Sequence, residues 1–302
     1  MAIHTSAPLV SVVLATNRVG PFMREAVQSV AAQSHRPLEL ILVDDGVPDR
    51  AELLAVASIA KNARVIQHAT SGVSGARNAG AAQAAGAYLA FIDDDDRWDP
   101  ERVRRQVRDL EAAPTAPAGY CLLRTIDEHG AVLVEPDRVA VASIDDLVTR
   151  RTGIVAPNLM VRTAAFRDAG GFDERLRMAE DYDLILRLGR RGQILFSADA
   201  LVDYRHHPGN TTGRHRELAL AIAGVVAADR IRQDGERPSE RAYREARRAN
   251  DRYAWWASLR AARARRSRGD VRGAVAEIAW AVLFAPWAPA HPVARRVRRR
   301  AT

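Results

Sequence analysis

Cysteine is almost missing from this chain. Cys121 is the only one in 302 residues, so no disulfide can form within the chain and packing alone must hold the fold. One buried thiol fits a reducing compartment, and Cys121 reads as a small core hydrophobe. Lysine is equally scarce: of 45 basic residues only Lys61 is not arginine. Long apolar runs are missing too. The uncharged stretches Leu218 to Ala228 and Ile278 to Ala290 fall short of the ~20 residues a membrane-spanning helix needs. Met1 to Pro8 has neither the basic start nor the apolar centre of a secretory signal. No internal repeat is present. These absences lead to the expectation of a soluble or peripheral, cytoplasmic protein whose membrane contact, if any, is at the inner face.

Apolar residues make up 47% of the chain, ordinary for a globular protein, and the length allows one large α/β domain with an appendage. Apolar segments at 10–15, 38–43, 64–67 and 87–92 alternate with helical patterns at about 21–32, 50–60, 74–85 and 99–111. That alternation predicts parallel βαβ units. Pro21 suits a first helical turn, and Asp99 followed by Pro100 reads as a cap and first turn. Residues 112–119 form a breaker-rich loop. Strands are expected near 119–125 and 131–134 around the Asp127-Glu128-His129-Gly130 turn. A further strand is expected over 154–161 and a helix over 179–190.

The chemistry gathers at strand ends. Tyr88 to Ile92 is a buried-strand run followed by Asp93-Asp94-Asp95-Asp96. Four adjacent carboxylates oppose one another's ionisation. A solvated acidic turn tolerates them; a Mn²⁺ or Mg²⁺ ion shared with a substrate phosphate explains them better. Leu38 to Val43 ends in Asp44-Asp45-Gly46, and Gly72 to Gly80 is a glycine-rich loop entering an Ala-rich helix. Ligands of open α/β sheets bind beyond such strand ends. The glycine spacing is not Gly-x-Gly-x-x-Gly, which disfavours a dehydrogenase.

Six motifs in order carry a family resemblance over roughly residues 8–213. They are Val10 to Asn17, Val43-Asp44-Asp45-Gly46, Gly72 to Gly80, Tyr88 to Pro100, Gly170-Gly171-Phe172-Asp173-Glu174 with Glu180-Asp181-Tyr182-Asp183, and Tyr204-Arg205-His206-His207-Pro208. The chain resembles the family 2 glycosyltransferases of GT-A fold. The resemblance implies an α/β, Rossmann-like, mostly parallel sheet flanked by helices, here with a C-terminal helical extension. It also implies a metal-dependent, inverting transfer of sugar from a nucleotide-diphosphate sugar to a hydroxyl acceptor, as in cell-envelope polysaccharide synthesis. The acceptor class stays open between a glycan, a lipid-linked molecule and a small molecule.

Carried over by position, the resemblance makes Asp95 the direct metal ligand within an Asp-x-Asp motif. Asp93 ligates or orients, and His207 (with His206 competing) approaches the metal or diphosphate. Asp181 takes the place of the general base, with a plain helix-start role as the competing reading. Asp44 and Asp45 sit where the family grips base and ribose, Asp45 being preferred; a turn before Gly46 is the rival reading. Thr16, Arg77, Asp93 and Asp94 complete the donor side. Asn78 would brace the glycine loop, and Trp98 would pack beneath the acidic one. In the family the first strand commonly ends Pro-Thr-Tyr-Asn. Here it ends Ala15-Thr16-Asn17, without the aromatic. This leaves base identity open: UDP is the commonest donor, and GDP and dTDP remain alternatives. A GT-A-like nucleotidyltransferase and a non-catalytic sugar-nucleotide or glycan-binding protein are the competing functions.

Charge divides the chain. From Arg214 to Thr302 there are 21 arginines against 9 acidic residues, a net of +12, which leaves −4 for residues 1–213 and +8 overall. The expected domains are therefore 1–213, catalytic, and 214–302, a basic Arg/Ala-rich helical extension with a disordered end. Helices are expected over 238–267 and from Val271 to Phe284, forming a hairpin at Gly269-Asp270. The tail's arginines are open to three readings: a solvated face, contact with anionic lipid, and nucleic-acid binding. The last is not expected, because no recognition motif accompanies the charge.

Overall fold

The computed structural model describes residues 7–69, 72–136, 138–151, 153–207 and 214–290. The expected disordered end and Pro208 lie outside them. Three βαβ steps open the chain: β1 (Val10–Thr16), α1 (Pro21–Ala31), β2 (Leu38–Asp44), α2 (Arg50–Ala57), β3 (Ala63–Gln67), α3 (Val73–Ala82) and β4 (Tyr88–Ile92). The four strands pair in parallel in the order β3-β2-β1-β4. Side chains alternate across the sheet, as strand geometry requires. Val13, Leu89 and Phe91 enter one apolar core, while Val12, Leu14, Ala90 and Ile92 enter another on the opposite face.

Beyond β4 the sheet changes character. β5 (Arg97–Trp98), β6 (Ala118–Ile126), β7 (Val132–Val134), β8 (Leu159–Arg162) and β9 (Leu195–Arg205) extend it in the order β4-β8-β6-β9-β5, with β7 on β6. Of these pairings only β6 with β9 is parallel. Short helices α5 (Ile144–Val148) and α6 (Thr163–Asp168) and the longer α4 (Arg102–Ala112) and α7 (Glu180–Gly189) cover this half.

Two local expectations are corrected. The helix read from residue 99 begins at Arg102, with Glu101 rather than Asp99 as its cap. Asp99 is held by the sheet instead: its N–H donates to Leu201 O at 3.0 Å, and its carboxylate accepts from Glu101 N at 2.9 Å. The strand read over 154–161 is a 3₁₀ turn, Ala156–Asn158, followed by β8. Pro157 has no N–H for a ladder. The Asn158 side chain supplies the partners instead, accepting from Val155 N at 2.9 Å and donating to Cys121 O at 2.8 Å.

The last helices are α8 (His215–Ile231), α9 (Glu240–Ser267) and α10 (Val271–Phe284). Ile222 and Val225 of α8 and Ala242, Tyr243 and Ala246 of α9 share a core with the sheet and α7. A buried ion pair joins them: Arg190 Nε donates to Asp229 Oδ1 at 2.8 Å, and Tyr243 Oη donates to Asp229 Oδ2 at 2.7 Å. Removing one member of such a pair leaves an uncompensated buried charge.

Glycine is required where α3 crosses the sheet, because a Cβ at Gly80 would collide with Val13 Cγ1. Gly224, on the outer side of α8, has nothing within 4 Å. Gly80→Val is expected to lower stability by about 1–3 kcal/mol through overpacking. Gly224→Ala should raise it by up to about 1 kcal/mol through helix propensity. Urea unfolding of both variants checks the pair.

Candidate active site

A cleft of about 890 Å³ opens at the carboxyl ends of the parallel strands. Thr16 ends β1 and Arg18 follows it, Asp45 follows β2, and Asp93 to Asp95 follow β4. Gly72, Val73 and Arg77 come from the start of α3, and Glu180, Asp181 and Tyr182 from the start of α7; all line the cleft. Parallel βαβ winding produces this convergence by placing every strand's exit on one edge.

Arg77 binds the two halves together. Its guanidinium is almost fully buried, donating from Nη2 to Asp93 Oδ1 at 2.5 Å and from Nη1 to Glu180 Oε1 at 2.8 Å. It also lies over the Phe172 ring, 5.4 Å from the centroid. Burial works against its charge, but Asp93 and Glu180 more than offset this and raise its pKa. The side chain is thus buried at the cleft wall rather than spread on the surface of α3.

The acidic run is not uniform. Asp94 Oδ2 accepts from Thr16 Oγ1 at 2.6 Å, and Arg18 Nη2 donates to Asp94 Oδ1 at 3.2 Å. Asp95 Oδ2 lies 2.9 Å from His207 Nε2 and 3.4 Å from Arg18 Nη2. Asp96 is fully buried. Its Oδ1 accepts from Arg205 N at 2.9 Å, while its Oδ2 has no partner among the described residues. Burial raises the pKa of Asp95, helped by Asp93. Burial also raises that of Asp96, helped by Asp93 and Asp95. Carboxylate oxygens of Asp93, Asp95 and Asp96 lie within 4.8 Å of one another. An orphaned buried oxygen beside two crowded carboxylates and an imidazole is a donor set that fits Mn²⁺ or Mg²⁺. His206 is exposed on the strand-end backbone, its N–H donating to Ile126 O at 2.8 Å. It is His207, then, that reaches Asp95.

The remaining candidates separate by geometry. Asp44 closes the turn after β2, accepting from Gly46 N at 3.2 Å, Val47 N at 2.8 Å and Arg50 Nη1 at 3.3 Å. Asp45 faces the cleft. Asn78 braces the Gly170–Glu174 loop through Phe172 O at 2.9 Å and Glu174 Oε1 at 3.0 Å. Asp173 is clamped by Arg175, which holds its carboxyl down to about 2. Trp98 is buried with the Arg102 guanidinium 3.6 Å from its ring centre.

Asp181 sits on the cleft wall at the first turn of α7, its Oδ1 accepting from Tyr182 N at 2.7 Å. Burial and the neighbouring Glu180 charge push its carboxyl up to about 7, against the opposing pull of Arg77. Ala179, just before it, has a left-handed φ of 60°. Such backbone costs a non-glycine residue about 1–3 kcal/mol. Asp183 points away, into Arg187 at 2.8 Å and Arg232 at 2.8 Å. Arg18 and the pairing of Glu180 with Arg77 were not legible in the sequence, because no motif spacing encodes how far a side chain reaches.

Residues 11–139 match the family described as Glycosyl transferase family 2. A glycosyltransferase of Rickettsia typhi is 28% identical over 215 residues, 69% of this chain and 67% of its own length. The glycosyltransferase EpsJ of Bacillus subtilis is 30% identical over 218 residues, 68% of this chain and 63% of its own length. The chain thus spans about two thirds of these relatives, and only 31% of one from Rickettsia bellii. Among solved structures, S. aureus TarS 1-349 in complex with UDP-GlcNAc superposes with a TM-score of 0.62 at 15% identity, over 89% of this chain and 90% of that one. The mannosyltransferase PcManGT from Pyrobaculum calidifontis, in complex with GDP-Man and Mn²⁺, gives 0.63 at 15% identity over 94% and 84%. With its ordered motifs, its GT-A sheet and these relatives, the chain belongs to glycosyl transferase family 2.

Proposed function

We propose that this protein transfers a sugar from a nucleotide-diphosphate sugar, with UDP as the favoured base, to an acceptor hydroxyl by a single inverting displacement. One observation carries the proposal. Arg77 ties the acidic loop to the start of α7, so a diphosphate-side carboxylate and the Asp181 carboxylate face one cleft. The bound nucleotides of TarS and PcManGT support the donor class, and the Mn²⁺ of PcManGT supports the metal.

In this reading Asp45 and Thr16 bound the nucleoside end of the cleft, and Asp93 with Asp95 hold the metal, with His207 set behind Asp95. Bound there, Mn²⁺ or Mg²⁺ would neutralise the leaving diphosphate as a Lewis acid. Arg18, on the rim, offers a further cation to that diphosphate. Asp181 accepts the acceptor's proton, and the oxygen attacks C1 on the face opposite the diphosphate, inverting the anomeric centre. Glu180 is neutralised by Arg77, which leaves Asp181 as the base. A carboxyl held near 7 is a stronger base than an ordinary aspartate, and about half of it is ionised at neutral pH.

Asp181→Asn should lower turnover by about 10²–10⁴-fold, the range typical of general-base loss, while nucleotide affinity stays unchanged. Calorimetric titration with UDP and Mn²⁺, beside a transfer or donor-hydrolysis assay, reads both quantities. Equal, measurable turnover in the variant would remove Asp181 from the chemistry, and nucleotide binding without turnover in either protein would favour a non-catalytic binding protein. The wild-type rate should rise with pH through about 7, because Asp181 acts only when ionised and its pKa is raised to about 7. An acid limb near 4 in kcat/KM would assign the base to another carboxylate.

A further inference from the structure

Helix α10 is packed inside out. Its single carboxylate, Glu277, is buried, accepting from Arg216 Nε at 2.9 Å and Arg265 Nε at 3.2 Å, with His215 Nε2 at 3.2 Å. Its outward stripe is apolar. Val271, Val275, Ala276, Ala279, Val282 and Leu283 are exposed, and Arg272 is the only charged residue among the exposed positions of the helix. The exposure is large: 63% for Val275, 83% for Leu283 and 74% for Trp287 just beyond the helix end. A soluble surface helix places these residue types the other way round. A continuous apolar stripe of this kind marks a surface made to be covered.

Charge selects what covers it. Arg260, Arg263, Arg266 and Arg268 on the approach to α10 are exposed, and none enters an ion pair among the described residues. The sequence after Ala290 holds five more arginines and no acidic residue. A second copy of this chain would bring the same positive charge against itself, whereas an anionic lipid surface complements it. At 14 residues the helix is about 21 Å long, too short to cross a bilayer, and no helix among the described residues is long and apolar enough to do so. Apolar stripe, flanking arginines and a terminal tryptophan are together the chemistry of a helix lying in the headgroup plane.

We infer that the outward face of α10, with Trp287, docks the protein onto an anionic bilayer surface. Val275, Val282 and Leu283 enter the acyl boundary and the flanking arginines meet lipid phosphates. The inference does not depend on the transfer chemistry, since none of these residues lines the cleft.

The test is co-sedimentation of the full chain with phosphatidylcholine vesicles, with and without phosphatidylglycerol. Pelleting should require phosphatidylglycerol and weaken as salt is raised. The double variant Val275→Glu/Leu283→Glu should lose at least about tenfold in partitioning, as expected when apolar insertion is replaced by charge. Its melting temperature should be unchanged, because both side chains are exposed. Arg268→Gln/Arg272→Gln should reduce the preference for anionic vesicles. Failure to pellet with either vesicle would overturn the inference. So would a wild-type dimer in light scattering that the double glutamate variant converts to monomer, because the face would then be covered by a second copy.

Discussion

A buried arginine with two carboxylates organises this molecule. Arg77 sits at the start of α3, where its side chain is almost fully removed from water, and holds Asp93 at the end of β4 and Glu180 at the start of α7. An isolated guanidinium there would be costly, and two isolated carboxylates on the cleft wall would repel one another. Together they fix a distance in the tertiary structure that no local propensity sets. Asp181 inherits its position from that arrangement, one residue along the helix. Its high carboxyl pKa comes first from burial on that wall and then from the neighbouring Glu180 charge, with Arg77 pulling the other way.

Helix α7 is held from behind as firmly as from the front. Asp183 is paired to Arg187 and Arg232, and Arg190 reaches Asp229 and Tyr243. The partners Arg232, Asp229 and Tyr243 lie on and between α8 and α9, so these helices support the cleft wall directly. The strained turn at Ala179 fits this picture, since a left-handed alanine persists only where surrounding contacts dictate it.

Much of this was legible in the sequence, for physical reasons. β1, β2 and β4 are mostly apolar runs buried on both faces, interrupted before their ends by Ser11 and Glu39, which bond to each other, and the residues that end them are polar because the strands open onto a cleft. β9 was not legible. Its middle, Ser197-Ala198-Asp199-Ala200, breaks the apolar pattern, and its pairing with β6 shifts register twice. Helix α8 reads only as an uncharged stretch, since its outer side carries Leu220, Ala223 and Ala227 instead of charge. Within the site, sequence spacing brings Asp44 and Asp45 forward together. Geometry divides them: Asp44 closes the turn onto Gly46 and Val47, and Asp45 turns to the cleft. The motifs likewise identify Arg77 as a candidate but not its partners, which lie 16 and 103 residues away.

The central claim is that the acidic loop and the cleft together bind a nucleotide diphosphate through a divalent cation. A thermal-shift measurement with UDP, GDP and dTDP, each with and without Mn²⁺, tests it most directly, with Asp95→Asn alongside the wild type. A ligand that binds only the folded state raises the melting temperature by mass action. The account predicts a shift for one nucleotide, UDP, that requires Mn²⁺ and disappears in Asp95→Asn. A shift of equal size without the metal, or one that survives the substitution, would contradict it.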